Sequence, residues 1–386
     1  MWSLSLDVHH LNHGSFGAVP VEVVQKQSEW RALWEANTTA FVVNDLQPAI
    51  DTARTVTSTF LKADPEGFVF LRNASSGVAS VVRSIELSLK PGDELLTTVQ
   101  DYNAVRQILE FTAARHEAHV VVAPIPYPID SPSEVTESIL GSVSGRTRLA
   151  VIDHVTSPTG LVFPIDRIVS ALEPEIPVLI DGAHGPGQVA VDIGALGTSW
   201  YTGNLHKWTC APKGAAFLHT RFDRIEATVP TVISHGWNAP IPEGRSRYWA
   251  LFDWPGTDDL SQWLVVPDAL RVVGGIEPGG WPALMKRNHE LAIAARALLC
   301  DAVGVHPPAP DEMVGSMSAI PFRDGDGVDP GGELSPLMFD LLEAGFETLV
   351  MIWPEWPHQL LRVSAASYNT IDEYEALANQ LTVRVG

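Results

Sequence analysis

The feature that most constrains the fold is a regular alternation of short apolar segments with amphipathic segments, which begins at residue 68. The apolar segments have the length and composition of buried strands, and the segments between them have helical periodicity. The predicted strands cover 68–72, 94–98, 119–124, 148–153, 177–181, 199–203 and 215–219. The predicted helices between them cover 77–89, 103–115, 132–143 and 165–172. Such βαβ units predict an α/β fold with a seven-stranded, mostly parallel sheet in a large domain.

The pattern before and after this alternation is different and indicates further parts of the chain. Helices are predicted from Pro20 and over 48–61, and a longer helix is predicted over 283–303. The stretch 322–332 is rich in Pro, Gly and Asp and is predicted to be an exposed loop. We therefore expect an N-terminal segment over 1–45, a large domain over 46–266 and a smaller α+β domain over 267–386.

Charge and cysteine content exclude several classes of protein. The 386 residues carry a formal net charge of −21, and an acidic surface repels nucleic acid and anionic lipid. Cys210 and Cys300 are too few for a disulfide framework and lack the spacing of metal ligands. The sequence shows neither a signal peptide nor an apolar run that could span a bilayer. We expect a cytoplasmic protein without a metal that binds neither nucleic acid nor membrane.

Polar residues follow three consecutive predicted strands. Asp153 and His154 end the first strand, Asp181 ends the second, and Lys207 lies just after the third. Ligands of open parallel sheets bind at the carboxyl ends of the strands, so these side chains are expected to meet there. Taken singly, each has a simpler interpretation, because a lysine can snorkel at a domain edge and an aspartate can cap a helix.

Taken together, these residues predict a site for pyridoxal phosphate. Lys207 alone among six lysines lies between a histidine and a tryptophan, and a desolvated lysine becomes a nucleophile toward an aldehyde. Asp181 can pair with a pyridinium nitrogen. Ser75, Ser76 and Gly77 open a predicted helix, where free N–H groups and the helix dipole bind a phosphate. We therefore expect Lys207 to hold the cofactor as a Schiff base.

Eight fragments in order resemble the fold-type I pyridoxal phosphate enzymes of the aminotransferase class V family, and most of all their isopenicillin N epimerase-like branch. The fragments are HLNHGSFGAVP (10–20), NASSGVAS (73–80), DHVTSPTG (153–160), DGAHGPGQV (181–189), GNLHKW (203–208), ISHGW (233–237), WPGTDD (254–259) and LLRVSAASYNT (360–370). The resemblance covers almost the whole chain. It implies an enzyme similar to those that act on cysteine S-conjugates in secondary metabolism, such as lincosamide biosynthesis. It also implies a homodimer with its active site at the subunit interface.

The resemblance implies roles for individual residues. Lys207 resembles the lysine that binds the cofactor and moves the Cα proton, Asp181 the carboxylate at the ring nitrogen, and Tyr102 the residue that stacks on the ring. The further implied cofactor contacts are Ser75, Ser76, Gly77, Ser157, His184, Asn204, His206 and Thr257, the last in a segment that resembles the one reaching the phosphate in the partner subunit. The implied substrate contacts are Arg362, which would hold the α-carboxylate as a two-pronged donor, and Asn12, His13 and Ser15 near the entrance.

The chain also departs from related enzymes. Cysteine desulfurases of this class carry a catalytic cysteine shortly before the carboxylate-binding arginine, whereas the segment 346–362 contains none. Desulfuration through a protein persulfide is therefore not expected, and Cys210 is expected to pack as a small buried side chain. Trp353 and Trp356 either belong to the core or indicate a bulky, partly apolar substrate.

The resemblance leaves the outcome of the reaction open. We favour a lyase reaction on an S-conjugated cysteine, either elimination across the C–S bond or decarboxylation with deamination. The alternative is epimerisation, which needs a second acid–base group opposite Lys207, with Tyr102, His13 and His235 as candidates. A binding protein that keeps the fold without turnover is the third possibility, and the presence of Lys207, Asp181 and Arg362 argues against it.

Overall fold

The computed structural model of the protein describes residues 1–385. In chain order its strands are β1 His9–His10, β2 Phe68–Leu71, β3 Glu94–Thr98, β4 His119–Ala123, β5 Thr147–Asp153, β6 Val178–Gly182, β7 Trp200–Asn204, β8 Ala216–Thr220, β9 Met317–Phe322, β10 Phe346–Glu347, β11 Leu349–Ile352 and β12 Gln359–Ser364. Its helices are α1 His13–Phe16, α2 Val21–Ala36, α3 Thr38–Ala40, α4 Leu46–Phe60, α5 Ala74–Glu86, α6 Asn103–His116, α7 Pro132–Gly141, α8 Ile165–Leu172, α9 Ile193–Leu196, α10 Arg247–Phe252, α11 Ser261–Leu264, α12 Val266–Gly274, α13 Gly280–Val303, α14 Pro336–Glu343 and α15 Ile371–Val385.

The central sheet has seven strands in the order β2-β8-β7-β6-β5-β3-β4. Strands β7, β6, β5, β3 and β4 are parallel to one another, whereas β8 is antiparallel to both β2 and β7. Every residue of β3, β6 and β7 is buried. Because both faces of these strands are covered, their sequences do not alternate apolar and polar residues as a half-exposed strand does. The prediction of a seven-stranded, mostly parallel sheet is confirmed.

Helices cover both faces of this sheet and form a separate apolar core with each. Ile50 of α4 and Ile168 of α8 belong to the core on one face. Val81 of α5 and Leu109 of α6 belong to the core on the other. Because successive strand residues point to opposite faces, neighbouring residues of β3, β5 and β6 contribute to different cores. The sheet is thus fixed from both sides, and its carboxyl ends are left to form a site.

Helix α5, at the edge of the predicted site, begins earlier than expected. Helix α5 starts at Ala74, whereas the sequence predicted a start at Gly77. The cause is Asn73, whose side-chain Oδ1 accepts hydrogen bonds from the backbone N and the hydroxyl of Ser76, at 2.8 and 2.9 Å. The first turn of α5 therefore includes Ser75 and Ser76, and its N-terminus lies directly after β2.

A smaller domain follows the large one. Strands β9, β11 and β12 form an antiparallel sheet in the order β11-β12-β9, with α13 and α15 packed against it. Strand β1 pairs with β10, so the N-terminal segment joins the small domain through its backbone. The predicted α+β character is confirmed by these elements, whereas the boundaries at residues 45 and 266 remain a prediction.

The loop between β9 and α14 is largely exposed, as predicted for 322–332, although its first residue, Phe322, is buried at the end of β9. Within the described part of the chain, no helix combines the length and the apolarity needed to cross a membrane.

Gln188 joins the two domains, and its replacement by Leu is expected to lower the free energy of unfolding by about 2 kcal/mol. Its buried amide donates to the carbonyl of His184 and accepts from the backbone N of Ser316, both at 2.8 Å. Leucine would leave both backbone groups buried without a partner. Urea unfolding measures the difference, and Gln107→Leu on the exposed side of α6 is the matched control. An unchanged unfolding midpoint in Gln188→Leu would contradict this role.

Candidate active site

The carboxyl ends of β5, β6 and β7 open into a cavity of about 230 Å³. It is lined by Ser15, Phe16, Asn73, Ala74, Ser75, Tyr102, Asp153, Ser157, Asp181, Ala183, His184, Asn204, His206 and Lys207. The sequence predicted a site at these strand ends, and nine of its predicted site residues line this cavity: Ser15, Ser75, Tyr102, Ser157, Asp181, His184, Asn204, His206 and Lys207. Residues from the N-terminal segment and from five strand-to-helix or strand-to-turn connections thus meet in one place.

Lys207 presents an amine that is neutral over much of the physiological range. Burial and the nearby positive charge of Arg362 lower the pKa of Lys207 to about 7. Its Nζ lies 2.8 Å from Nε2 of His184. The indole N–H of Trp208 donates to Nδ1 of His184 at 3.4 Å, which leaves the imidazole proton on Nε2. His184 can therefore donate to the lone pair of the Lys207 amine, and burial lowers the pKa of His184 well below its ordinary value.

Asp181 is a buried carboxyl group at the end of β6. One of its oxygens accepts a hydrogen bond from the backbone N of Ala183 at 2.9 Å. Burial raises the pKa of Asp181, while the hydrogen bond from Ala183 and the positive charge of Lys207 oppose the increase. A carboxylate in such a place gains stability from a cationic partner, which a protonated pyridine nitrogen would supply.

The N-terminus of α5 forms another wall of the cavity. The backbone N of Ala74 donates to the side chain of Asn204 at 2.9 Å, which ties the end of β7 to the start of this helix. Ser75 lines the same space as Lys207. Helix α5 has 13 residues, so its dipole favours an anion at this end.

Three of the predicted cofactor contacts lie elsewhere. A Cβ atom on Gly77 would come within 2.1 Å of the Thr202 hydroxyl, so this glycine allows α5 to pack closely on β7 and does not line the cavity. Ser76 and Thr257 line a second cavity of about 270 Å³ between α5 and residues 255–258. Neither residue lines the cavity around Lys207. Ser76 differs from Ser75 in this respect because neighbouring residues of a helix point in different directions.

Arg362 lies on β12, only 2% exposed, behind the wall formed by Ser15 and Ser157. Its Nη2 donates to the Ser15 hydroxyl at 2.8 Å and to the Asn12 side chain at 3.3 Å, and its Nη1 donates to the carbonyl of Ser157. Its Nε has no hydrogen-bond partner among the described residues. Burial lowers the pKa of Arg362 to about 10, so the guanidinium stays charged at neutral pH.

His13 was predicted at the cavity entrance, but it does not line the cavity and contacts the backbone of Lys207 instead. Its Nε2 is 3.1 Å from the carbonyl of Lys207 and its Nδ1 is 2.9 Å from the hydroxyl of Tyr368. Burial lowers the pKa of His13 to about 4, which keeps the ring neutral. The N-terminal segment thus contacts the backbone of Lys207 through His13 and the guanidinium of Arg362 through Asn12 and Ser15.

Two aromatic side chains stand at the cavity mouth. Tyr102, which precedes α6, is 49% exposed, and Phe16, at the end of α1, is 72% exposed. Phe16 was not among the predicted site residues, and Asp153 was expected at the strand ends without an assigned role, although both belong to fragments that carry the family resemblance. His235 is exposed and lies outside the cavity.

The two tryptophans near Arg362 in sequence do not line the cavity. Trp353 packs edge-on against Tyr127, with ring centroids 5.7 Å apart. The Trp356 ring covers Gly325 in the loop after β9. Their place therefore supports a structural role and gives no evidence on the size of the substrate.

Both cysteines are buried and neither lines the cavity. Burial raises the pKa of Cys210 to about 12, so its thiol stays un-ionised, in keeping with the predicted packing role. No group of three His, Cys, Asp or Glu residues in the described chain is placed to hold a metal ion.

The chemistry of the donor set fits pyridoxal phosphate. A neutral lysine amine matches its aldehyde, the buried carboxyl of Asp181 matches its ring nitrogen, and the α5 N-terminus with Ser75 matches its phosphate. The unpartnered Nε of buried Arg362 is a further donor for an anion, such as the carboxylate of an amino acid.

Comparisons with known proteins agree with this fit. Residues 17–377 match the family model described as Aminotransferase class-V. An isopenicillin N epimerase from Amycolatopsis lactamdurans is 34% identical over 396 residues, which cover 98% of this chain and 96% of the relative. A putative L-cysteine desulfhydrase 1 from Oryza sativa subsp. japonica is 34% identical over 329 residues, which cover 81% of this chain and 67% of the relative. A cystine C-S lyase, C-DES, shares the fold with a TM-score of 0.79 at 18% identity, covering 98% of each chain.

The family match spans most of the chain, and the epimerase relative exceeds 30% identity over almost all of it. The resemblance to the isopenicillin N epimerase-like branch is therefore confirmed, as is the fold-type I architecture. The chain belongs to the aminotransferase class V family, whose members are pyridoxal phosphate-dependent enzymes.

Proposed function

We propose that the protein is a C–S lyase that acts on an S-conjugated cysteine in secondary metabolism. The observation that carries this proposal is Lys207, the one lysine of the described chain that lines the cavity. Burial moves the pKa of Lys207 to about 7 and lowers the pKa of His184 and of His206, so the Lys207 amine is the strongest nitrogen base there. Elimination needs one base that removes the Cα proton, whereas epimerisation needs groups on both faces of the Cα atom.

The cofactor would be held by the residues whose chemistry fits it. Lys207 would bond to its aldehyde carbon, Asp181 would pair with its ring nitrogen, and the N-terminus of α5 with Ser75 would bind its phosphate. When bound, pyridoxal phosphate supplies a ring that accepts the electron pair released at the Cα atom of an amino acid. Tyr102 at the cavity mouth would cover the ring.

Lys207 is the group that moves protons. Its neutral Nζ takes the Cα proton, and the hydrogen bond from Nε2 of His184 keeps the amine in place before this transfer. As an ammonium group, Lys207 then holds a proton that can pass to the departing sulfur. Asp181 stays ionised and thereby stabilises the positive charge on the ring nitrogen.

Arg362 would orient the substrate. Its Nε and the adjacent Nη2 form the two-pronged edge of the guanidinium that suits a carboxylate, and Nε has no partner among the described residues. Ser15 stands between Arg362 and the cavity, so the α-carboxylate would displace or share this hydroxyl. This contact determines which Cα bond faces Lys207.

The sulfur would leave as a free thiol, because neither cysteine lines the cavity to accept it. The overall reaction converts an S-substituted cysteine and water into a thiol, pyruvate and ammonium. Elimination breaks the C–S bond and forms the S–H bond, and water then replaces the amino group of the three-carbon product. No external oxidant or reductant is needed.

The rate of cofactor binding to the cofactor-free protein is expected to rise about tenfold per pH unit below pH 7 and to level off above it. Only the neutral Lys207 amine attacks the aldehyde, and its pKa is about 7, so its neutral fraction increases with pH until it is complete. Stopped-flow absorbance across this range measures the rate. A midpoint near the ordinary lysine pKa of about 10.4 would contradict the burial of this amine.

A homodimer completes the proposed site. Thr257 and Asp258 line both the cavity beside α5 and a neighbouring groove, and Gly256 before them has a φ of 123° that only glycine adopts readily. This placement supports a segment that projects toward a second subunit and its phosphate. Sedimentation should give twice the chain mass of 41.9 kDa, whereas a monomer with bound cofactor would contradict the proposal.

The unpaired cysteines suit the proposed cytoplasmic location.

Epimerisation is the second candidate. Tyr102 lines the cavity with its side chain half-exposed and could serve as the acid opposite Lys207. The relative from Amycolatopsis lactamdurans is named an epimerase, and the one from Oryza sativa a desulfhydrase, at equal identity. The relatives alone therefore do not distinguish the two reactions.

The deciding experiment incubates the loaded enzyme with S-substituted cysteines in deuterated water. Release of pyruvate together with one thiol per substrate is the expected result. Deuterium at the Cα atom of recovered, inverted substrate would replace the lyase with the epimerase. Carbon dioxide release would indicate decarboxylation, and a loaded protein that changes no substrate would indicate a binding protein.

A further inference from the structure

A second carboxyl group lies beside Asp181 in the same cavity. Strands β5 and β6 are parallel neighbours, and their register pairs Asp153 directly with Asp181. Neighbouring strands are about 4.8 Å apart, and paired residues point to the same face of the sheet. Asp153 is 6% exposed and Asp181 is 3% exposed, and both line the cavity with Lys207. Both residues therefore contribute to one small cavity.

The charged groups around this pair do not balance two negative charges. Asp101, which also approaches Asp153, is neutralised by Arg106 through two hydrogen bonds of 2.9 and 3.0 Å. Asp153 forms no salt bridge within the described chain, and the positive charge of Lys207 only partly opposes the increase in its pKa. His154, next along β5, bonds to the Tyr201 hydroxyl at 2.8 Å, and burial lowers its pKa to about 4, so it adds no charge.

The environment places the proton of this pair on Asp153. Burial and the charge of Asp181 raise the pKa of Asp153 well above its ordinary value. Asp181 receives the hydrogen bond from Ala183 and would receive the cation of the cofactor ring, and both favour its ionised form. Two adjacent carboxyl groups in a low-dielectric site share one proton instead of ionising together.

We infer that Asp153 is a positioning residue that stays protonated, donates a hydrogen bond to Asp181 and so keeps Asp181 ionised toward the ring nitrogen. The inference rests on the proposed cofactor role of Asp181. It assigns to the Asp153–Asp181 pair the state of one proton and one negative charge. The ring nitrogen would then meet a carboxylate whose position is fixed from two sides, by Ala183 and by Asp153.

Infrared spectroscopy of the loaded enzyme reads this proton directly. At pH 7 the wild-type protein should show the carbonyl stretch of an un-ionised carboxylic acid, and Asp153→Asn should lose it. Asp101→Asn, which removes a carboxylate already paired with Arg106, should retain the band and is the matched control. A wild-type spectrum without the band, or a band that persists in Asp153→Asn, overturns the inference.

Cofactor affinity separates the hydrogen bond from the charge. Asn keeps a neutral donor, so Asp153→Asn should bind pyridoxal phosphate within about twofold of wild type, whereas Asp153→Ala should bind about tenfold more weakly. If both variants bound pyridoxal phosphate equally weakly, the hydrogen bond donated at position 153 would not determine the affinity, and this would contradict the inference. If Asp153→Ala fails to fold, the infrared comparison still decides, because it uses only the Asn variants. A wild-type protein that never binds the cofactor would instead overturn the proposed function, while the infrared band could still be read.

Discussion

Lys207→Ala is expected to lower turnover by at least about a thousandfold and to leave the cofactor bound without a covalent bond. In the proposed function Lys207 supplies both the amine that meets the aldehyde and the base that removes the Cα proton, and burial lowers the pKa of the neighbouring His184 well below that of Lys207. No other described lysine lines the cavity to replace it. Steady-state rates of thiol release and the visible absorption of the purified protein measure the two effects.

Lys286→Ala is the matched control for this variant. Lys286 lies on α13, is 73% exposed and pairs with Glu290, so its loss should change neither absorption nor turnover. If Lys207→Ala kept the wild-type absorption spectrum and more than about a tenth of the activity, the cofactor would be anchored elsewhere.

Arg362→Ala is expected to lower kcat/KM about a hundredfold, mainly through KM, with the cofactor retained. In the proposed function the buried guanidinium meets the substrate α-carboxylate, and a hydrogen bond between charged groups contributes about 1.5–3 kcal/mol. Arg362→Lys should recover little of this loss, because an ammonium group does not reproduce the two-pronged contact. Initial rates over a range of substrate concentrations give kcat and KM separately.

Two comparisons complete this experiment. Arg271→Ala removes an exposed arginine that pairs with Glu22 and Asp268, and it should leave kcat/KM unchanged. Ser15→Ala removes one partner of Arg362 and should cause a smaller loss, of about tenfold or less. An Arg362→Ala enzyme with wild-type KM would show that another group binds the carboxylate.

The sheet could be predicted from the sequence because its strands and helices have different periodicities. Buried parallel strands appear as apolar runs, and β3 and α8 were predicted to the residue. The start of α5 was predicted three residues late, because the cap at Asn73 depends on a side-chain contact that periodicity does not carry. The order of the strands and the pairing of β1 with β10 depend on long-range contacts and had no signal in the sequence.

The site was predictable where backbone topology alone brings residues together. Asp181 and Lys207 follow neighbouring strands, so the carboxyl-end rule placed both in one cavity. Ser76 and Thr257 were assigned beside them from the resemblance, but both line a second cavity, and the direction of Ser76 depends on the helical phase of α5. His13 was expected at the entrance but contacts the backbone carbonyl of Lys207, a long-range contact that the sequence does not indicate.

The sequence placed Asp153 at the strand ends but gave no sign of its pairing with Asp181. That pairing comes from the register of β5 and β6. Phe16 was missed, because its place at the cavity mouth depends on the contact between α1 and Arg362. Both positions depend on contacts between residues distant in sequence.

The central claim is that Lys207 forms the covalent bond to the cofactor. Borohydride reduction of the loaded protein, followed by proteolysis and peptide mass spectrometry, tests it most directly, because reduction makes the bond to the lysine permanent. We expect one lysine to carry the pyridoxyl group, and we expect this lysine to be Lys207. A pyridoxyl group on any other lysine, or its absence from every peptide of a protein that absorbs visible light, would contradict it.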